Sequence, residues 1–142
     1  MNIELKRIYD PVSKDDGYRV LIDRIWPRGV SKSAASLDAW VKELAPSTEL
    51  RRWFGHDRER WQEFAESYER ELADCDPELF RNLREHADDE GLTLLFAARD
   101  TKCNNAWCLN VILKITDATF GSCVALSWQW FRVSWAIWEM RS

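Results

Sequence analysis

The sequence predicts an α/β fold: one layered domain with a small, mainly parallel sheet flanked by helices. Three observations point there. Strand-like runs at Ile3–Tyr9, Tyr18–Trp26 and Leu92–Ala98 are spread along the chain rather than clustered. Stretches of helical periodicity fill the gaps between them. Hairpin signals are few, so the strands are best joined by crossovers. The length, 142 residues, suits a single domain able to bury a core.

In order along the chain, Ile3, Leu5 and Ile8 give the first run its strand pattern, and Asp16-Gly17 signals a turn after it. Tyr18–Trp26 is β-branched and largely apolar, as a buried strand should be, and Pro27 ends it. Residues 36–45 read as a helix, with Ser36 as N-cap and Leu37, Trp40, Val41 and Leu44 at helical spacing. Pro46 breaks it, and Ser47 caps a second helix that turns Leu50, Trp53 and Phe54 inward. The longest helix covers 57–75, with Trp61, Phe64, Tyr68 and Leu72 in one stripe. A fourth opens at Pro77 and closes at Gly91. Leu92–Ala98 is a nearly unbroken apolar run, expected of a central strand. A final helix follows, with Ala106, Leu109, Val111 and Leu113 facing inward. Trp40, Trp53 and Trp61 fall on helical stripes and are expected in the core rather than as base-stacking platforms.

Composition narrows the function classes. A net charge of −4 argues against bulk, sequence-independent nucleic-acid binding. No basic segment followed by an apolar stretch opens the chain, so a cytoplasmic location is expected. The four cysteines form no C-x-x-C, which leaves no disulfide or zinc framework and suggests reduced thiols. Nucleotide-loop, nucleophile-elbow and zincin motifs are absent, and two histidines with scattered carboxylates give no metal site. No cofactor is expected.

What remains is a set of basic and polar blocks at predicted strand ends and helix starts. In "DRIWPRGVSK", Arg24 and Arg28 flank Trp26-Pro27, and Lys32 follows Gly29. Guanidinium forks at the carboxyl end of a strand suit carboxylate or phosphate recognition. Equally, they could form structural salt bridges inside the domain. In "APSTELRRWFGHD", Ser47 could present a helix N-terminus to an anion with Arg51 one turn on, or simply cap its own helix. His56 is the candidate proton carrier, because imidazole as a residue type exchanges its proton near physiological pH; its alternative is to close the helix. His86, at a charged helix end, reads as a solvated surface residue. In "AARDTKCNNA", Asn104 is a candidate site residue or cap. Cys103 could be a thiol activated by a helix N-terminus, though a surface thiol without a function is the more economical reading.

The blocks "DRIWPRG", "APSTELRRWFGH" and "LTLLFAARD" carry a strong resemblance to the YeaO-like proteins, bacterial domain-of-unknown-function family 488, over about Met1 to Leu113. The resemblance implies a small cytoplasmic α/β protein and brings no established biochemistry. Where this family usually has a histidine before the Asn of its D-x-x-H-N segment, this chain has Cys103 before Asn104.

Residues 1–115 are therefore expected to form the domain, and 116–142 an atypical tail. Of 20 basic and 24 acidic residues, only five occur from Cys103 onward, whereas five of nine tryptophans do. Val124, Trp128, Phe131, Trp135 and Trp138 make one helical stripe, but Ser122, Ser127, Gln129, Arg132 and Ser134 weaken any transmembrane reading. The tail is an extra helix packed on the domain, a helix for a partner or membrane surface, or sequence foreign to the family, which the abrupt change in composition favours. Three functions follow for the domain: a small-anion site with His56 as an enzymatic proton carrier, a module binding nucleic acid or protein, or a purely architectural use of the Arg and Trp blocks.

Overall fold

Every strand pairing is parallel in the computed structural model, which describes residues 1–118. The strands β1 (Ile3–Arg7), β2 (Tyr18–Leu21), β3 (Ala39–Trp40) and β4 (Leu92–Phe96) lie in the order β1-β4-β2-β3. β4, wholly buried, is the apolar run expected at the centre. The expectations for the tail beyond residue 118 lie outside the described residues.

The period-two alternation of the strands gives the sheet two different faces. Leu5, Leu94, Val20 and Ala39 share one register row. That face packs under α2 (Thr48–Phe54), α3 (Trp61–Ala73), α4 (Pro77–Asp89) and α5 (Asn105–Ala118), whose Phe54, Phe64, Tyr68, Leu83 and Leu109 complete the main core. The neighbouring row, Leu95, Leu21 and Trp40, faces a smaller cluster made by Ile8, Trp26, Val30, Leu37 and Ala35, the last in the one-turn helix α1 (Lys32–Ala35).

The helix expected over 36–45 does not form. Ser36 takes left-handed dihedrals and ends α1, and Ala39-Trp40 pair with Val20-Leu21 as the edge strand. The apolar spacing misled because these side chains serve both faces: Leu37 and Trp40 join the small cluster, Val41 and Leu44 the main core. A short 3-10 turn, Lys42–Leu44, follows. Two other expectations need correction. Trp53 is exposed, lying beneath the Arg60 guanidinium at 5.4 Å, because α2 turns Leu50 and Phe54 inward instead. His86 is half-buried, stacked on Tyr18 at 3.6 Å with Nδ1 3.1 Å from Glu90.

At the amino ends of β2 and β4 the backbones nearly touch. Tyr18 N–H donates to Gly91 O at 2.9 Å. Beside this contact lies a buried charge cluster under the second face. Asp16 and Arg19, 3% and 4% exposed, form an ion pair. Lys6 Nζ adds a bond to Asp16 at 2.9 Å, and Ser13 N–H another at 3.0 Å. Arg19 also donates to Ala35 O (3.0 Å) and Ser36 O (3.2 Å). Burial works against the Asp16 anion, yet the Ser13, Lys6 and Arg19 bonds hold its carboxyl below the usual range.

On α3, half-buried Glu69 is pushed up to about 7, first by burial and then by Glu66, with Arg70 opposing. A carboxyl raised in the folded state binds its proton more tightly there than in the unfolded chain. Its cost is therefore full above about pH 7 and fades as pH falls toward the ordinary 4.5. Glu69→Gln is expected to raise stability by about 1 kcal/mol at pH 8, after discounting for solvent screening. Thermal melts of the two proteins should converge near pH 5.

Candidate functional site

Two loops leave adjacent strands toward opposite faces. The loop after β2 runs to α1 on the small-cluster side, whereas the loop after β4 enters α5 on the main-core side. Such a switch point opens a crevice at the carboxyl ends of parallel strands. Here it is a cleft of about 840 Å³.

Arg24, Arg28, Arg51, His56 and Asn104 all line this cleft; Lys32 and Ser47 do not. Lys32 begins α1 and is exposed. Ser47 is the N-cap of α2, its Oγ accepting from Leu50 N–H at 3.2 Å and its own N–H donating to Glu71 at 2.8 Å. An internal carboxylate thus already sits at this helix start.

The "DRIWPRG" loop is fixed at almost every residue. Asp23 O accepts from Trp40 Nε1 (2.7 Å), and Asp23 Oδ2 accepts from Ala97 N–H (2.8 Å). Arg24 donates to the carbonyls of Pro46 (3.0 Å) and Ala45 (3.4 Å), while Trp26 Nε1 donates to Val30 O at 2.6 Å. Gly29 takes φ +75°, and Tyr9 OH donates to Arg28 O at 3.1 Å. Arg24 is therefore a held charge that bonds to backbone, and Arg28 projects from a rigid turn with its side chain exposed.

Arg51 leaves the last turns of α2, and Gly55 and His56 then turn the chain with φ of +53° and +59°. The last carbonyls of α2 are taken by backbone amides, Gly55 to Arg51 O and Asp57 to Phe54 O. The His56 ring is left exposed, 6.0 Å from the Phe54 ring. A left-handed histidine is uncommon, and such conformations cluster at functional turns.

On the β4 side, Asn104 is the cap of α5: Oδ1 accepts from Trp107 N–H and Nδ2 donates to Asp100 O, both at 2.9 Å. Asp100 Oδ1 accepts from the amides of Lys102 (2.9 Å) and Cys103 (3.1 Å), and Oδ2 pairs with Arg58 at 2.8 Å. Partial burial opposes the Asp100 anion, but these bonds hold its carboxyl below the usual range. Cys103 is 7% exposed, not a surface thiol. Burial and then Asp100 push its thiol up, the reverse of activation.

The sequence reading missed Asp23 and Asn105 as site residues. Asn105 donates through Nδ2 to Ile22 O (3.0 Å) and to Asp23 Oδ1 (3.1 Å), tying α5 to the β2 exit. Burial raises the Asp23 carboxyl above its usual range, against the bonds from Ala97 and Asn105 and the nearby charges of His56 and Arg51. A carboxylate at a strand exit, four residues before Pro27, carried no spacing signal of its own.

Residues 2–119 match the family profile described as the inactive DUF488-N3 subclade. The chain belongs to this family. Over 106 residues, 75% of the chain, it is 46% identical to the uncharacterized protein YeaO of Escherichia coli K12, covering 91% of that protein. The uncharacterized proteins Rv3073c of Mycobacterium tuberculosis and Mb3100c of Mycobacterium bovis are each 47% identical over 72 residues, 51% of this chain and 61% of theirs. No solved structure matches. The DUF488 membership extends the expected resemblance a few residues further, to the end of α5. Among the described residues no helix is long and apolar enough to cross a membrane, and no cluster of metal-ligating side chains occurs.

Proposed function

We propose that this DUF488 protein binds a small anionic molecule in the cleft between the β2 and β4 exits, without turning it over. One observation carries the reading: the cleft gathers arginines that form no salt bridge. Arg24, Arg28, Arg51 and Arg99 line it against only Asp23 and Asp100, and Asp100 is already paired with Arg58. Among the described residues none of those four arginines forms an ion pair with a carboxylate. Unpaired guanidinium groups in a crevice favour an anion, with planar forks suited to carboxylate or phosphate. Arg24, tied to Ala45 and Pro46, supplies fixed positive potential; Arg28 and Arg51, free to reach, supply the direct contacts. His56 adds a ring that can donate to the bound group. The description of the subclade as inactive supports binding over catalysis.

Calorimetric titration with inorganic phosphate, pyrophosphate and succinate at low ionic strength tests it. The double variant R28A/R51A should bind at least tenfold more weakly, since each charge-assisted bond contributes about 1.5–3 kcal/mol. Its melting temperature should stay within about 2 °C of the parent, as befits surface substitutions. Binding should also weaken with added salt. Absence of binding in the parent, or unchanged affinity in the variant together with a large fall in melting temperature, would leave an architectural role for the arginines.

A further inference from the structure

The same cleft contains acceptors as well as cations, and an anion alone does not use them. Asp23 offers about four lone-pair positions, of which Ala97 N–H and Asn105 Nδ2 occupy two. Asn105 is 8% exposed, and its Nδ2 lies between two acceptors, Ile22 O and Asp23 Oδ1, which fixes the amide orientation. Its Oδ1 accepts from no donor among the described residues, though Asn105 lines the cleft. An accessible amide oxygen and a half-buried carboxylate therefore belong to the same cleft lining as Arg28, Arg51 and His56. A ligand that brings donors can bond to these acceptors, where an anion alone cannot.

Resting on the anion-binding reading, we infer that the ligand is a small zwitterion, its acidic group held by Arg28 and Arg51 and its ammonium group by Asp23 and Asn105. The two ends of the site differ in reach. Asp23 and Asn105 are locked to each other and to the backbone at the floor, so they form a fixed ammonium seat. The exposed arginines stand at the rim and can adapt to acids of different length. Specificity is then set at the floor. An amine-free acid would set a second negative charge near half-buried Asp23, whereas an ammonium group neutralises it.

Matched probes test this on the unaltered protein: γ-aminobutyrate against butyrate, and O-phosphoethanolamine against glycerol 1-phosphate, titrated by calorimetry at pH 7. The amine-bearing member of each pair should bind at least tenfold more tightly. D23N should reduce that preference to less than twofold while retaining affinity for the amine-free acid. Equal or tighter binding of the amine-free members overturns the zwitterion inference and leaves the anion reading standing. Failure of every probe to bind overturns both. Should D23N not fold, the comparison within each pair on the parent protein still decides the matter.

Discussion

Asp16→Ala is expected to destabilise the protein by about 3–5 kcal/mol, the usual cost of removing one member of a buried ion pair. The size follows from what stays behind. Arg19 is 4% exposed and donates to Ala35 O and Ser36 O, so its guanidinium cannot swing into water without breaking those bonds. Lys6 loses its carboxylate partner and the Ser13 amide its acceptor in the same step. The backbone is affected too, because the Thr93 hydroxyl donates to Asp16 O at 2.6 Å and ties this turn to β4. Urea denaturation would measure the effect as a shift in midpoint at constant slope. Asp16→Asn should recover part of the loss, since an amide oxygen can still accept from Ser13. Equal stability of D16A and the parent would show that the cluster is hydrated and contributes nothing.

Gly17→Ala should be nearly as damaging, about 4 kcal/mol or more, by a different route. Gly17 has φ +65° and ψ −134°, a combination that L side chains rarely adopt. A Cβ built there would stand 2.4 Å from Gly91 O and 2.5 Å from Glu90 O, both backbone atoms, the first held by the Tyr18 N–H. Either the strands part or the turn unwinds. Gly29→Ala is the natural control, since its φ of +75° carries strain but a Cβ there meets nothing within 4 Å. It should cost only about 1–2 kcal/mol. Comparable losses at the two sites would mean that dihedral strain, and not the close approach, dominates at Gly17.

The parallel sheet was legible because its strands carry their own evidence: β4 is apolar throughout, and Gly17 and Gly91 punctuate the strand starts. Crossover connections then leave few topologies. β3 was not legible. Two residues pair with β2, and their apolar neighbours divide between opposite faces of the sheet, a pattern that imitates a helical stripe when read along the chain. The lining of the candidate cleft was readable where chemistry is concentrated in a block, as with Arg24 and Arg28. It was hidden where the lining depends on distant residues meeting. Asp23 and Asn105 are 82 positions apart and become partners only when β4 lies beside β2. Ser47 and Asn104 show the converse limit: a capping residue and a ligand-binding residue look alike in sequence, and only the bonded amide tells which role the side chain has taken.

The Asp16–Gly17 turn and the cleft stand at opposite ends of the same short strands. β2 has four residues and β4 five, so about 15 Å of sheet lies between them. At that separation substitutions act nearly independently. The exposed positions of the loops at residues 22–31 and 97–104, such as Ile25, Arg28 and Arg99, can therefore change while the buried turn preserves the fold. This architecture favours evolvability: a lineage can lose a reaction, acquire a different ligand, or keep a receptor without an activity, and still inherit the same sheet.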